Sequence, residues 1–169
     1  MEDLSSEKMI FERTKKHFEV TGSIDRKRRI TLSIEKNTLR SLAEWINEQG
    51  FSHLSAISAT DWPEKNQMEV TYHLWSYEQK ILITLKSMIP RDQAMIDSVV
   101  PIWGSNAQVH ERELHELFGI TFEGNDDLST LFVDDWEGPP AFRKDFDWRT
   151  FVRDKDYDET NDREKGYYE

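Results

Sequence analysis

The chain has 169 residues, 37% of them hydrophobic and 12% aromatic, which is apolar mass enough for the core of one ordinary domain. Thirty-three acids against 22 bases give a net charge of -11. That argues against nonspecific nucleic-acid binding, which draws its energy from cationic side chains. Cysteine is absent, so no disulfide, cysteine-ligated zinc, cysteine-ligated iron–sulfur cluster or cysteine nucleophile belongs to this chain. No apolar run approaches the ~18 residues of a membrane span, and Met1 to Ser6 lacks the apolar stretch of a signal peptide. A soluble, unexported protein is the expectation.

Taken in chain order, the opening segment reads as a helix. Leu4, Met9, Ile10 and Phe18 form a loose apolar stripe, with Ser5 or Ser6 as cap and Glu7 in the first turn. A basic cluster, Arg26-Lys27-Arg28-Arg29, then precedes a strand in which Ile30, Leu32 and Ile34 alternate with Thr31 and Ser33. The cluster is either a patch for an acidic neighbour or a plain solvated turn. Asn37 or Thr38 can cap a second helix whose apolar positions Leu39, Leu42, Ala43 and Ile46 repeat at three and four, with Gly50 at its end.

Three strands are expected next, over 51–59, 68–75 and 80–86, the last two joined as a hairpin through Ser76–Gln79. Met68, Val70, Tyr72 and Leu74 share one face, as do Ile81, Ile83 and Leu85. Two helices are expected over 93–100 and 105–118, separated by Pro101 and Gly104. The order α-β-α-β-β-β-α-α predicts an α+β fold, a small mixed or antiparallel sheet with helices packed on it. Ile30, Leu32, Ile83, Leu85, Leu42 and Ile46 should lie in one core. Residues 1–119 are read as the compact domain. Beyond Gly119 periodicity fades, and residues 120–169 read as an extended aromatic and charged tail, without further helix or long strand, that docks on a partner subunit; the alternative is that its aromatics cap one end of the sheet. Its last stretch, 152–169, is polar and expected to be mobile.

Few residues suggest chemistry. His110, Glu111 and His115 resemble a metalloprotease helix, but the histidines are five apart, or ~140° around a helix, and cannot share one zinc. Glu111 and His115 do share a face, expected to be polar and solvated. Phosphate loops and the nucleophile elbow of serine hydrolases are missing. The densest constellation is Glu111-Arg112-Glu113 on a helix with apolar side Leu114, Leu117 and Phe118, stopped by Gly119, together with the later Arg143-Lys144-Asp145-Phe146. Mixed charges of this kind suit a solvated helix face or bidentate docking onto another chain.

The run from Val100 to Ala107, the run from His110 to Gly124 and the run from Asp134 to Phe146 resemble the C subunit of respiratory complex I, the thirty-kilodalton subunit family. That family has counterparts in archaeal deazaflavin-linked dehydrogenases and energy-converting hydrogenases. It carries an E-R-E-x-x-[DE] helix ending in Phe-Gly, then an acidic-Trp-x-Gly segment leading to Arg-Lys-Asp. The matching positions are Glu111, Arg112, Glu113 and Glu116, then Phe118 and Gly119, then Trp136 and Gly138, then Arg143, Lys144 and Asp145. The clear match spans residues 97–148. The sequence departs from the pattern at Asn125-Asp126, where the family has His-Pro, and at Ser129, where it has a basic residue. One residue is also inserted between Gly138 and Arg143.

The resemblance implies a non-redox structural subunit in the peripheral arm of an NADH (or related donor):quinone oxidoreductase. It would sit on the cytoplasmic side of the membrane, packed on the hydrogenase-like large subunit (D subunit) and neighbouring peripheral-arm subunits near the quinone site. Electron transfer there is coupled to ion translocation. Iron–sulfur clusters and quinone belong to partner subunits, and neither cofactor, metal nor catalytic residues are expected on this chain. The matched motif residues are expected to form the partner interface, so that Arg112 and Arg143-Lys144-Asp145 serve assembly and a partner orders much of the tail. The competing view pairs Arg112 with Glu116 or Asp145 and pins the tail to the last helix. Alternatives for the whole are the equivalent subunit of a membrane-bound energy-converting hydrogenase, or a free-standing acidic interaction module.

Overall fold

Alternating apolar residues and a helix with its apolar face at three-and-four spacing meet in one sheet–helix core. The computed structural model describes residues 4–133 and 136–154. The acidic pair Asp134-Asp135 and most of the polar end, 155–169, lie outside the described residues. Helix α1 (Ser5–His17) leads into strands β1 (Thr21–Arg26) and β2 (Arg29–Ile34), followed by a 3₁₀ turn, Lys36–Thr38, and helix α2 (Leu39–Glu48). Strands β3 (His53–Trp62), β4 (Gln67–Ser76) and β5 (Ile81–Pro90) come next. A short strand β6 (Met95–Asp97), helix α3 (Val100–Phe118), strand β7 (Thr121–Glu123) and helix α4 (Trp148–Asp154) complete the order.

The main sheet runs β1-β2-β5-β4-β3. Only the β2–β5 pairing is parallel, so the sheet is mixed, while β4 and β5 form the expected antiparallel hairpin. One face carries Ile30 and Leu32 of β2, Ile83 and Leu85 of β5, and Val70, Tyr72 and Leu74 of β4, all at most 1% exposed. Leu42 and Ile46 of α2 are buried against the same core, as the sequence predicted. α1 joins them through Phe18, whose ring meets Trp45 of α2 edge-on at 5.8 Å.

Several local expectations change. The segment 93–100 is not a helix: Met95–Asp97 pairs in parallel with Thr121–Glu123, and α3 begins only at Val100. The alternation of buried Ala94, Ile96 and Ser98 with more exposed neighbours is the strand period, and the partner strand that fixes it lies some 25 residues away in the chain. β1 escapes the sequence patterns because, as an exposed edge, it has almost no apolar signal. The basic cluster is the turn between β1 and β2, where Arg28 adopts φ 65° and donates its backbone N–H to Glu7 at 2.7 Å. The core also continues past residue 119, since Ile120 and Phe122 are buried. A short helix, α4, follows Asp147, whose carboxylate takes the backbone N–H groups of Arg149 and Thr150, an N-cap.

Candidate functional site: a strap clamped by the charged motif

Gly104 shapes the site. Its φ of 59° and ψ of -138° break α3 after one turn, so the helix restarts at an angle. Glu111, on the restarted helix, thereby reaches back to the strand-to-helix junction. Its carboxylate accepts the Val99 N–H at 2.7 Å, the Ser98 hydroxyl at 2.8 Å and the Asn125 side-chain amide at 2.8 Å. Glu111 is fully buried, which corrects the expectation of a solvated Glu111–His115 face. Burial pushes its carboxyl above the ordinary range, against the pull of those three donors. His115 turns aside to the Ile120 carbonyl at 2.9 Å. Asn125, one of the departures from the family pattern, thus has a definite role: it donates to the buried carboxylate.

The described residues of 125–147, that is 125–133 and 136–147, lie against the end of α3 as a strap, and the charged motif grips them. Arg112 donates to the carbonyls of Ser129 (3.0 Å) and Thr130 (2.6 Å). One turn on, Glu116 accepts the backbone N–H groups of Leu131, Phe132 and Val133, at 2.8–3.0 Å for the best contact of each. Three consecutive amides on one carboxylate form a small anion site made by the strap itself. Burial raises the Glu116 carboxyl, but these three bonds outweigh it and hold the group below its usual range. Glu113 does not take part and lies 3.8 Å from His110.

The far end of the strap is fixed twice. Phe142 donates its N–H to Leu117 O at 2.9 Å, and the Arg143 Nε–H donates to Phe118 O at 2.9 Å, so both residues satisfy carbonyls at the end of α3. Gly119 makes this geometry possible with φ 72°; a Cβ there would stand 2.8 Å from Pro140 and 3.1 Å from the Arg143 guanidinium. The second fixing point is Asp61 at the end of β3. Arg91 binds it through two N–H groups at 2.7 and 3.1 Å, and Lys144 donates its backbone N–H at 2.9 Å. Asp145 pairs with Arg91 from the other side. Burial raises the Asp61 carboxyl, and the bonds from Arg91 and Lys144 more than reverse that, keeping it below the ordinary carboxylate range. Lys144 and Lys65 also lie over the Trp62 ring, with Nζ 5.2 and 4.7 Å from its centre.

Trp136, Phe146 and Phe151 stack on one another at 5.0–5.9 Å. Gly138 closes the Trp-x-Gly step because a Cβ there would lie 2.5 Å from the Trp136 ring. Phe132, Phe142 and Trp148 remain 47–61% exposed.

The matched motif residues therefore come together, with Glu113 the exception, and within this chain most of them serve as clamps. Arg112 pairs neither with Glu116 nor with Asp145; it holds strap carbonyls beside Glu116. Sequence reasoning missed Asp61, Arg91, Ser98 and Asn125. In the sequence Asp61 reads only as part of a turn before Pro63, and no local pattern joins it to Arg91, 30 residues on. Among the described residues, no group of three or more His, Asp or Glu could hold a metal ion, and no helix is long and apolar enough to cross a membrane.

Comparison with known proteins identifies the group. The C subunit of the F(420)H(2) dehydrogenase of Methanosarcina mazei is 35% identical over 121 residues, covering 70% of this chain and 76% of that protein. The C subunit of the NADH-quinone oxidoreductase of Moorella thermoacetica is 34% identical over 113 residues, covering 66% of this chain and 75% of that one. A chain in the structure of the membrane-bound sulfane sulfur reductase, an archaeal respiratory membrane complex, superposes with a TM-score of 0.81 at 28% identity. That alignment covers 93% of this chain and 94% of the other. Residues 32–152 match the family described as respiratory-chain NADH dehydrogenase, 30 Kd subunit. That span takes in β3 to β7, α2, α3 and the described residues of the strap, and the chain belongs to this family of oxidoreductase-complex subunits.

Proposed function

We propose that the chain is a non-redox structural subunit of the peripheral arm of a complex I-like oxidoreductase. It packs on the hydrogenase-like large subunit near the quinone site, at the cytoplasmic face of the membrane. Electrons pass through iron–sulfur clusters held by partner chains, and the coupled ion moves elsewhere in the complex. The reading is supported above all by the strap: a family motif that clamps a segment bearing the exposed aromatics Phe132 and Phe142, with Trp148 just beyond it at the start of α4. Exposed aromatic anchors on a pre-ordered segment suit a protein interface, because little side-chain or backbone freedom is lost on docking. The absence of cysteine agrees with a subunit that holds no cluster.

A second reading has its own support. The near-complete mutual coverage with the sulfane sulfur reductase chain favours the equivalent subunit of another archaeal respiratory membrane complex, such as a sulfur reductase or an energy-converting hydrogenase. Affinity purification of the tagged chain from detergent-solubilised membranes separates these. Recovery of a large subunit together with quinone-site partners supports the first reading, and recovery with sulfur-reductase or hydrogenase partners supports the second. A chain that runs alone, near its own mass, contradicts both.

A further inference from the structure

A pocket of about 290 Å³ opens where α3 ends, between the 3₁₀ turn at Lys36–Thr38 and the strap. Lys36 and Arg143 line it, together with Asp92, Gln93 and the half-exposed Met95. The chain carries 33 acids against 22 bases, yet among the described residues neither Lys36 nor Arg143 forms an ion pair within 4 Å, and Arg143 acts on Asp145 only through its charge at longer range. Asp92, the acid in the pocket wall, takes the Asn66 side-chain amide at 2.7 Å. Asp145, the strap's nearby carboxylate, is paired with Arg91.

Arg143 is held in one orientation for a reason visible in its bonds. Its Nε–H is fixed to Phe118 O, and the bare Gly119 leaves room for the guanidinium. The remaining guanidinium donors have no hydrogen-bond partner among the described residues, and the side chain reaches the pocket. A guanidinium anchored through one nitrogen presents the others as a planar fork, the shape that a carboxylate takes in two parallel bonds. Lys36 adds a second positive charge on the other wall. Met95, in the pocket wall, is 38% exposed, and Phe142, the chain neighbour of Arg143, is 58% exposed, apolar surface that would keep water from a seated ion pair.

We infer that this pocket receives one aspartate or glutamate side chain of the large subunit, held by Arg143 and Lys36. The inference rests on the functional reading above and adds to it the chemistry of a specific contact. A free small anion fits this surface less well, because Phe142 and Met95 offer it nothing to bury against.

Lys36 gives the clean test, since none of its side-chain contacts holds the fold together. The tagged chain carrying Lys36→Glu is purified from its native membranes beside wild type and Lys36→Arg, and the wild-type complex is treated with a carbodiimide, which joins amines to neighbouring carboxyls. The expected result is an unchanged thermal midpoint for the free Lys36→Glu chain and at least tenfold lower recovery of the large subunit. Near-normal recovery is expected with Lys36→Arg, together with a cross-link from Lys36 to an acidic residue of the large subunit. Wild-type recovery with Lys36→Glu, or a Lys36 cross-link only to Asp92 of its own chain, overturns the pocket assignment and leaves the functional reading standing. A wild-type chain that brings down no oxidoreductase subunit overturns both.

Discussion

The sheet–helix body and the strap solve the same problem by different physics. In the body, residues such as Leu32, Tyr72, Leu85 and Ile46 are removed from water entirely, and area burial at roughly 25 cal/mol per Å² holds the elements together. From 125 to 147 the strap has no residue in the buried class among those described, and it is fixed by charged side chains bonded to backbone groups. Hydrophobic burial is nondirectional and tolerant of small shifts, whereas a carboxylate shared by three amides fixes the path of the chain residue by residue. A surface meant for a partner gains from the second method, because its apolar side chains stay outside.

This contrast can be broken at its strongest point first. Phe51→Ala empties a fully buried site in the body and should cost about 3–5 kcal/mol, unfolding strap and body together in a single denaturant transition. Asp61→Ala comes next, at about 3 kcal/mol, because Asp61 joins the body to the strap and its loss leaves Arg91, only 11% exposed, with Asp145 alone. A midpoint unchanged in chemical denaturation would show that this junction is not structural.

Glu116→Gln should act locally, removing about 1 kcal/mol from the strap while the global midpoint hardly moves. Acid should have the same effect on the wild type. Asp61, Glu116 and Asp145 all titrate below their ordinary range in the folded chain, while unfolded carboxylates titrate near ~4. Their stabilisation is therefore complete above that value and is lost as the pH falls through the lower folded values. Glu111 runs the other way. Its raised titration means that the folded state takes up a proton more readily, which favours the fold as the pH falls. Acid loosening should thus begin at the strap, read as a change in Trp136 fluorescence before the β-sheet circular dichroism changes; simultaneous loss would contradict it. The smallest effect belongs to Arg112→Ala, within about 0.5 kcal/mol globally, because its two acceptors are exposed carbonyls that water can satisfy.

Much of the body was legible in the sequence because its signals are local. Ile30-Leu32-Ile34 and Met68-Val70-Tyr72-Leu74 alternate within a few residues, and Leu39, Leu42, Ala43 and Ile46 mark one helix face. Gly119 marks a helix end by its need for positive φ. Three strands escaped for two reasons: β1 is an exposed edge with little apolar content, and β6 and β7 depend on pairing with each other across α3. Of the site, the motif residues were legible but their direction of action was not. Glu111 looks solvated on a helical wheel, and only the kink at Gly104 reveals that it faces the buried Ser98–Val99 junction. Asp61 and Arg91 meet only because β3 and β5 flank β4, and sequence spacing does not carry that information.

The central claim is that the charged motif orders the strap before any partner arrives. Native-state hydrogen exchange of the isolated chain tests it at the amides of Leu131, Phe132 and Val133. The account predicts protection at these three amides in the free wild-type chain, and its loss in Glu116→Ala while the amides of β4 and β5 stay protected. Exchange at the free-peptide rate in the isolated wild type, with protection appearing only in the assembled complex, would contradict it.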